Sequence, residues 1–171
     1  MISGRSFNTV SPDFVLNAGT AGGMSPALGL FDTAVTTECA YHDVGEDILT
    51  NYHPRLPSVW FASDPDLLAA CRRAAERAPS RVHFGRTVTG EAFITDEGRA
   101  EINARFAPLT VDMETAAMAH VCYVNRVPFA AIRSVTDTAD HSGMGTFEEN
   151  CARASAVSAT LVLDVLRELT R

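Results

Sequence analysis

The chain alternates short apolar, β-branched runs with amphipathic stretches that have helical spacing. Strand-like runs separated by helical stretches are typical of βα units, in which neighbouring strands lie parallel. The sequence therefore predicts one α/β domain over residues 1–171, with a mixed, mostly parallel central sheet flanked by helices. The predicted strands are 13–18, 33–38, 81–89, 109–113 and 127–135, and the predicted helices are 66–78, 96–106, 114–126 and 146–169.

Glycine, proline and small polar residues predict where these elements begin and end. The run GTAGG at 19–23 predicts a sharp turn after the first strand. Ser63 with Asp66, and Thr146 with Glu149, have capping-box spacing, which is typical of helix starts. Residues 41–61 contain two prolines and predict a long loop, a kind of segment that is often functional.

Composition excludes several classes of function. The formal net charge is −7 and the basic residues do not cluster, so no positive stripe is available for nucleic acid. No apolar run is long enough to span a membrane, and the first residues lack the apolar core of a signal peptide. Four widely spaced cysteines predict reduced, mostly buried thiols in a cytoplasmic protein. Five histidines without metal-ligand spacing give no reason to expect a metal.

Candidate functional side chains follow the ends of the predicted strands. Thr20, Phe93, Glu114 and Asp137 occupy such positions, and α/β sheets bind ligands beyond the carboxyl ends of their strands. Each residue also has a simpler explanation. The glycine run could be a packing turn, Glu114 an acid favoured by a helix dipole, Asp137 a helix cap and Phe93 a core ring.

Two side chains are harder to explain by packing alone. Arg133 closes a buried strand, and a buried guanidinium requires an anion or several acceptors. Glu114 has apolar and small neighbours, which predicts a partly buried carboxylate. A carboxylate in that setting can accept two hydrogen bonds at once, as from a vicinal diol.

Six segments occur in the order found in one enzyme family. Together they resemble the 5′-methylthioadenosine/S-adenosylhomocysteine nucleosidases of the nucleoside phosphorylase superfamily, and the resemblance covers nearly the whole chain. This family hydrolyses the N-glycosidic bond of 5′-thio-substituted adenosines and releases adenine in methionine salvage, without a cofactor. The segments are PDFVLNAGTAGG (12–23), AYHD (40–43), TGEAFIT (89–95), VDMETAAMAHVCY (111–123), VPFAAIRSVTDTAD (127–140) and TFEEN (146–150).

The resemblance implies a role for each candidate residue. Asp137 would be the general acid that protonates purine N7, supported by Thr136, because adenine leaves readily only when protonated. Arg133 and Thr20 would help hold the attacking water. The implied substrate contacts are Glu114 on the ribose 2′- and 3′-hydroxyls, Met113 on the sugar, Phe93 and the Ile94 backbone on adenine, Phe147 over the 5′-alkylthio group, and Gly22 at the same site.

The resemblance also predicts a homodimer in which the 41–61 loop reaches the other subunit's site, with Leu49 and Pro57 near the 5′ group. Asn17 stands where related phosphorylases carry a phosphate-binding arginine, which favours water as the nucleophile. Family members carry a further segment before the first strand, with a glutamate that activates water, and here no acid precedes Asp13. The alternatives are therefore a catalytically impaired or binding-only homologue, or a nucleoside phosphorylase.

Overall fold

The β-branched and apolar runs form six strands, and five helices lie between or after them in the part of the chain that is described. The computed structural model describes residues 11–140 and 143–170, apart from the side chains of Asp96 and Glu97. The strands are β1 (Val15–Gly23), β2 (Thr33–Tyr41), β3 (Phe61–Ala62), β4 (Val82–Thr89), β5 (Thr110–Asp112) and β6 (Phe129–Asp137). The helices are α1 (Glu46–Asn51), α2 (Pro65–Ala75), α3 (Asp96–Phe106), α4 (Thr115–Asn125) and α5 (Met144–Leu169).

The strands form a mixed sheet in the order β3-β2-β4-β5-β1-β6, and β2 also pairs with β6. The second pairing of β2 closes five of the strands into a ring. The longest ladders, β1 with β6 and β2 with β4, are parallel, whereas β1–β5, β2–β3 and β2–β6 are antiparallel. The mixed α/β fold predicted from the sequence is confirmed, and the closure of the sheet is an addition to it.

Strand β6 lies at the centre of the molecule, and all nine of its residues are buried. A strand covered on both faces typically has a continuous apolar run, and the first four residues of β6, FAAI, form such a run. Neighbouring residues of β6 point into different clusters: Ala131 packs with α4, and Ile132 packs with α2 and α5. A third cluster lies between the sheet and α3. Helices therefore cover the ring, and the ends of the strands stay accessible to a ligand.

The predicted turn at 19–23 is wrong, because these residues continue β1 as far as Gly23. The glycines serve a different purpose from the one predicted. Gly19 pairs with Arg133 and Gly22 with Asp137 across the parallel ladder, and the register shifts at Ala21 and Gly22. Glycine inside a strand typically marks such a bulge, or a close approach of another group.

The two predicted capping boxes are also wrong. Asp64 is the N-cap of α2, where its carboxylate accepts hydrogen bonds from the backbone N–H groups of Asp66 and Leu67, and Pro65 follows in the first turn. The Ser63 hydroxyl instead donates to the carbonyl of Thr36. Helix α5 begins at Met144, so Thr146 lies inside its first turn.

The predicted loop at 41–61 is not without structure. It contains α1, and its end enters the short edge strand β3. Leu56 from this segment is buried in the cluster beneath α4. In the described ranges, 11–140 and 143–170, no helix combines the length and apolar character needed to cross a membrane.

The closing pair of strands offers a test of the fold. Val35 lies on β2 opposite Ile132 and is fully buried, so Val35→Ala removes two buried carbon groups and leaves a cavity. We expect a loss of about 2 kcal/mol in the free energy of unfolding, measured by chemical denaturation. Val124→Ala, at a valine with 43% exposure on α4, is the matched control and should change it by less than about 0.5 kcal/mol. Equal losses in the two variants would contradict the packing described.

Candidate active site

The strand ends surround a cavity of about 380 Å³ that brings together most of the candidate residues. The expected convergence at the carboxyl ends is therefore found, although the chain reaches the cavity from within strands as well as after them. Thr20 lies inside β1 and Asp137 is the last residue of β6. The candidate residues that line this cavity are Thr20, Gly22, Phe93, Met113, Glu114, Thr136, Asp137 and Phe147.

Two aromatic rings stand at one side of the cavity. Phe93 and Phe147 meet edge to face, with ring centroids 5.9 Å apart. Ile94 lies just beyond, in a small side pocket of about 40 Å³ that it shares with Gly22 and Asp137. The flat apolar face of Phe93 and the carboxyl group of Asp137 therefore border one continuous space, a combination that suits a flat heterocycle with a basic nitrogen.

Arg133 lines a neighbouring cavity of about 730 Å³. Thr20, Met113 and Glu114 line both cavities, so the two spaces meet at these side chains. Asn17 also lines the second space. The family resemblance predicted that Arg133 and Thr20 lie at the same part of the site, and both residues line this second cavity.

Asp137 is an almost fully buried carboxylic acid, with 2% of its surface exposed. Burial raises the pKa of its carboxyl group, because the charged form is poorly solvated there. The Thr136 hydroxyl donates a hydrogen bond to Oδ1 over 2.8 Å, and the Arg99 guanidinium lies 3.9 Å from Oδ2. Both neighbours act against burial and lower the pKa. Asp137 thus has the environment of an acid that can hold a proton and release it.

Two glycines of β1 make room for these charged groups. A Cβ atom on Gly22 would lie 3.1 Å from Oδ2 of Asp137, which is tighter than ordinary packing. A Cβ atom on Gly19 would overlap the guanidinium of Arg133. The glycine run therefore lets Arg133 and Asp137 lie directly against the backbone of β1, which explains its composition without a turn.

Asp112 is an important residue that the sequence analysis did not single out. Its Oδ2 lies 2.8 Å from Nε of Arg133, and both side chains are buried. Its Oδ1 accepts hydrogen bonds from the Thr89 hydroxyl and from the backbone N–H groups of Glu114 and Thr115. Asp112 therefore holds the start of α4 and the guanidinium of Arg133 at once. The available signal was its spacing three residues before Thr115, since aspartate commonly caps a helix start in this way.

Glu114 differs from its expected environment. Its side chain is 59% exposed rather than partly buried, because it points into the open space shared by the two cavities. One carboxylate oxygen lies 3.8 Å from the Arg133 guanidinium. Glu114 is thus a carboxylate available to a ligand and oriented by a nearby cation.

The two residues predicted to serve another subunit lie outside these cavities. Leu49, on α1, packs against the cluster beneath α4 of its own chain. Pro57 is exposed. Among the described residues, no group of three or more His, Cys, Asp or Glu side chains is arranged to hold a metal ion. Three of the four cysteines are buried, as predicted, and all four are free cysteines.

The fold is that of the phosphorylase superfamily, whose family model matches residues 3–167. A 5′-methylthioadenosine/S-adenosylhomocysteine nucleosidase of Actinobacillus succinogenes is 38% identical over 92% of this chain and 70% of its own length. A relative from Staphylococcus carnosus with the same name is 32% identical over 95% of this chain and 73% of its own. The chain therefore belongs to the 5′-methylthioadenosine/S-adenosylhomocysteine nucleosidase family, as the sequence motifs predicted.

Solved structures of this family have the same fold. The nucleosidase of Neisseria meningitidis, in complex with methylthio-immucillin-A, is 34% identical with a TM-score of 0.84, over 95% of this chain and 72% of that one. The nucleosidase of Colwellia psychrerythraea, in complex with adenine, is 32% identical with a TM-score of 0.82, over 96% of this chain and 70% of that one.

The buried pair of Asp112 and Arg133 offers a test of how the site is held. Asp112→Asn removes the buried counter-ion of the guanidinium and leaves it only the exposed carboxylate of Glu114. We expect a loss of about 3–5 kcal/mol in the free energy of unfolding by denaturant titration. Asp32→Asn is the matched control, since Asp32 is buried but pairs with Arg81, whose side chain is 73% exposed. Its loss should be smaller, about 1 kcal/mol. A larger loss from Asp32→Asn than from Asp112→Asn would contradict the role given to Asp112.

Proposed function

We propose that this chain hydrolyses the N-glycosidic bond of 5′-thio-substituted adenosines, such as methylthioadenosine and S-adenosylhomocysteine, and releases adenine. The observation that supports it most strongly is the buried acid Asp137 beside the open face of Phe93, with the Glu114 carboxylate on the same cavity. Relatives with this fold bind adenine and a methylthio-substituted nucleoside analogue. The proposed reaction fits the methionine salvage role predicted above, and the free thiols fit a cytoplasmic protein.

In the proposed complex, adenine stacks on Phe93 and its edge faces the backbone at Ile94. Purine N7 then faces the carboxyl group of Asp137. Cleavage of the glycosidic bond builds positive charge on the sugar and negative charge on the leaving base. Proton donation from Asp137 neutralises the base, and the burial that raises its pKa favours the protonated form that this step requires.

The ribose lies between the two cavities in this proposal. The exposed carboxylate of Glu114 accepts hydrogen bonds from the 2′- and 3′-hydroxyls, and Met113 packs against the sugar ring. Met144 and Phe147, at the start of α5, give the 5′ end of the cavity an apolar wall. An alkylthio group suits such a wall better than a free hydroxyl or a phosphate.

The second cavity is the proposed side of attack by water. Arg133 and Thr20 line it, and they would hold the water beneath the sugar. The charge of Arg133 is already balanced by Asp112, with Glu114 nearby, and Asn17 adds no positive charge. A phosphate ion would therefore meet little net positive charge here, which favours hydrolysis over phosphorolysis.

A release assay tests the proposed function. The chain is incubated with methylthioadenosine, with and without inorganic phosphate, and free adenine is measured. We expect adenine release that does not depend on phosphate. Release of ribose 1-phosphate would instead identify a phosphorylase, and ligand-dependent stabilisation without adenine release would identify a binding-only homologue.

Two substitutions separate the proposed roles of the carboxylates. Asp137→Asn should lower kcat by about 10²–10⁴-fold, because it removes the proton donor. Glu114→Gln should mainly raise KM, since it weakens the contacts to the ribose in both ground state and transition state. Asp32→Asn is again the control, and both constants should stay near wild type. Unchanged kcat in Asp137→Asn would contradict the proposed acid.

We also propose a homodimer in which the segment around Leu49 and Pro57 reaches the other subunit. Exposed apolar side chains support this, with Ile48 47% and Tyr52 65% exposed beside these residues. Light scattering at micromolar concentration should give about twice the 18.4 kDa mass of one chain. Tyr52→Asp should shift the mass toward the monomer and lower affinity for methylthioadenosine. A wild-type monomer that binds this nucleoside tightly would contradict the proposal.

A further inference from the structure

Arg99 is a buried cation at an unfavourable place in its helix. It lies in the first turn of α3 and only 6% of its surface is exposed. The N-terminal end of a helix carries partial positive charge, so a cation there is disfavoured. Burial of a guanidinium adds a further cost unless acceptors surround it. The stability of α3 therefore does not explain why an arginine lies at this position, and the explanation must come from its contacts with other elements.

The contacts of Arg99 connect α3 with the end of β1 and with Asp137 at the end of β6. One terminal nitrogen, Nη1, donates to the carbonyl oxygen of Gly23 at the end of β1, and lies 3.5 Å from Sδ of Met24. The other, Nη2, lies 3.9 Å from Oδ2 of Asp137. The contact with Gly23 fixes the guanidinium, and the fixed guanidinium then faces the carboxyl group of Asp137.

The position of α3 connects Arg99 with the proposed base site. The helix begins at Asp96, directly after the segment that carries Phe93 and Ile94. Gly98 lies against Ile94, where an added Cβ atom would be 3.5 Å from its side chain. The same short stretch of chain thus contributes the ring of Phe93 to the cavity and places the guanidinium of Arg99 beside the carboxyl group of Asp137.

We infer that Arg99 is a positioning residue that holds the Asp137 carboxyl group toward the base and stabilises the negative charge that remains after Asp137 has donated its proton. This inference rests on the proposed function. In the step concerned, the O–H bond of Asp137 breaks and an N–H bond forms at purine N7. The electron pair of the glycosidic bond moves onto adenine, water adds to the sugar carbon, and the proton that water loses restores the acid.

The other charged groups described near Asp137 are either acids or cations paired elsewhere, so they do not provide the positive charge that this role requires. Asp112 and Glu114 line the same cavity from β5 and from the start of α4, and both are acids. Arg133 lies on the same strand as Asp137, but it pairs with Asp112 and lies near Glu114. In the part of the chain that the structure describes, Arg99 is thus the cation that faces Asp137 itself, where it lowers the pKa of the carboxyl group against the effect of burial.

Three substitutions separate this role from that of a simple tether between α3 and β1. Arg99→Gln keeps a donor for the Gly23 carbonyl and removes the charge. Arg99→Lys keeps the charge and loses the planar fork. Arg105→Met is the matched control, since Arg105 lies on the same helix with its side chain 41% exposed and pairs with Glu46 away from the cavity.

The readout is the pH profile of kcat/KM for adenine release from methylthioadenosine. The rate falls at high pH as Asp137 loses its proton in the free enzyme. Removal of a cation at this distance raises the pKa of a carboxyl group, so in Arg99→Gln the high-pH limb should move upward by about one pH unit or more. The maximal rate should fall about tenfold, because a weaker acid donates its proton less readily. Arg99→Lys should keep the limb near wild type, and Arg105→Met should change neither quantity.

A lower rate in Arg99→Gln with an unmoved high-pH limb would overturn the inference and leave Arg99 as a tether. A second readout does not depend on catalysis: NMR titration of the Asp137 carboxyl carbon, assigned with Asp137→Asn. The Asp137 signal should titrate at higher pH in Arg99→Gln than in wild type, and equal titration would also overturn the inference. Absence of adenine release by the wild-type chain would contradict only the proposed function, because the NMR titration still tests the effect of Arg99 on the Asp137 carboxyl group.

Discussion

The buried ion pair between Asp112 and Arg133 is the interaction on which the site depends. It joins the end of β5 to the middle of β6 over 2.8 Å. The same carboxylate accepts the first backbone N–H groups of α4, so the ion pair and the helix start share one anchor. Asp112 therefore fixes the backbone of Glu114 through a hydrogen bond and the side chain of Arg133 through the ion pair. Asp112 lines the first cavity and Arg133 the second, so the ion pair connects the walls of the two cavities.

Asp137 and Glu114 both line the cavity, and they differ because their surroundings differ. Asp137 is buried at a strand end, where loss of solvation raises its pKa. Glu114 is exposed at a helix start and lies near a cation. Pairs of acids in contrasting environments commonly have different roles in catalysis. The fold creates this contrast, because β6 is central and fully covered, whereas α4 begins directly after β5 at the border of the two cavities.

Much of this arrangement could be predicted from the chain alone. The alternation of strand and helix patterns gave the correct elements from β4 onward, and the bounds of α3 agree with the prediction. The predictions from sequence were wrong where the same local pattern of residues can have two different structural causes. The GTAGG run predicts a turn by composition, but Gly19 and Gly22 make room for Arg133 and Asp137, which lie about 115 residues away in sequence. Arg99 was missed for a similar reason, since its role depends on contacts between elements. Asp112 was missed although its spacing before Thr115 is typical of a helix cap, because its pairing with Arg133 leaves no local pattern.

A crystal structure of the chain with a non-hydrolysable analogue of methylthioadenosine would test the assignment of the two carboxylates most directly. We expect the purine on the face of Phe93, with N7 within hydrogen-bond distance of the Asp137 carboxyl group. The ribose hydroxyls should contact Glu114, and the alkylthio group should lie beside Phe147. A purine bound away from Asp137, or ribose hydroxyls held by groups other than Glu114, would contradict the assignment.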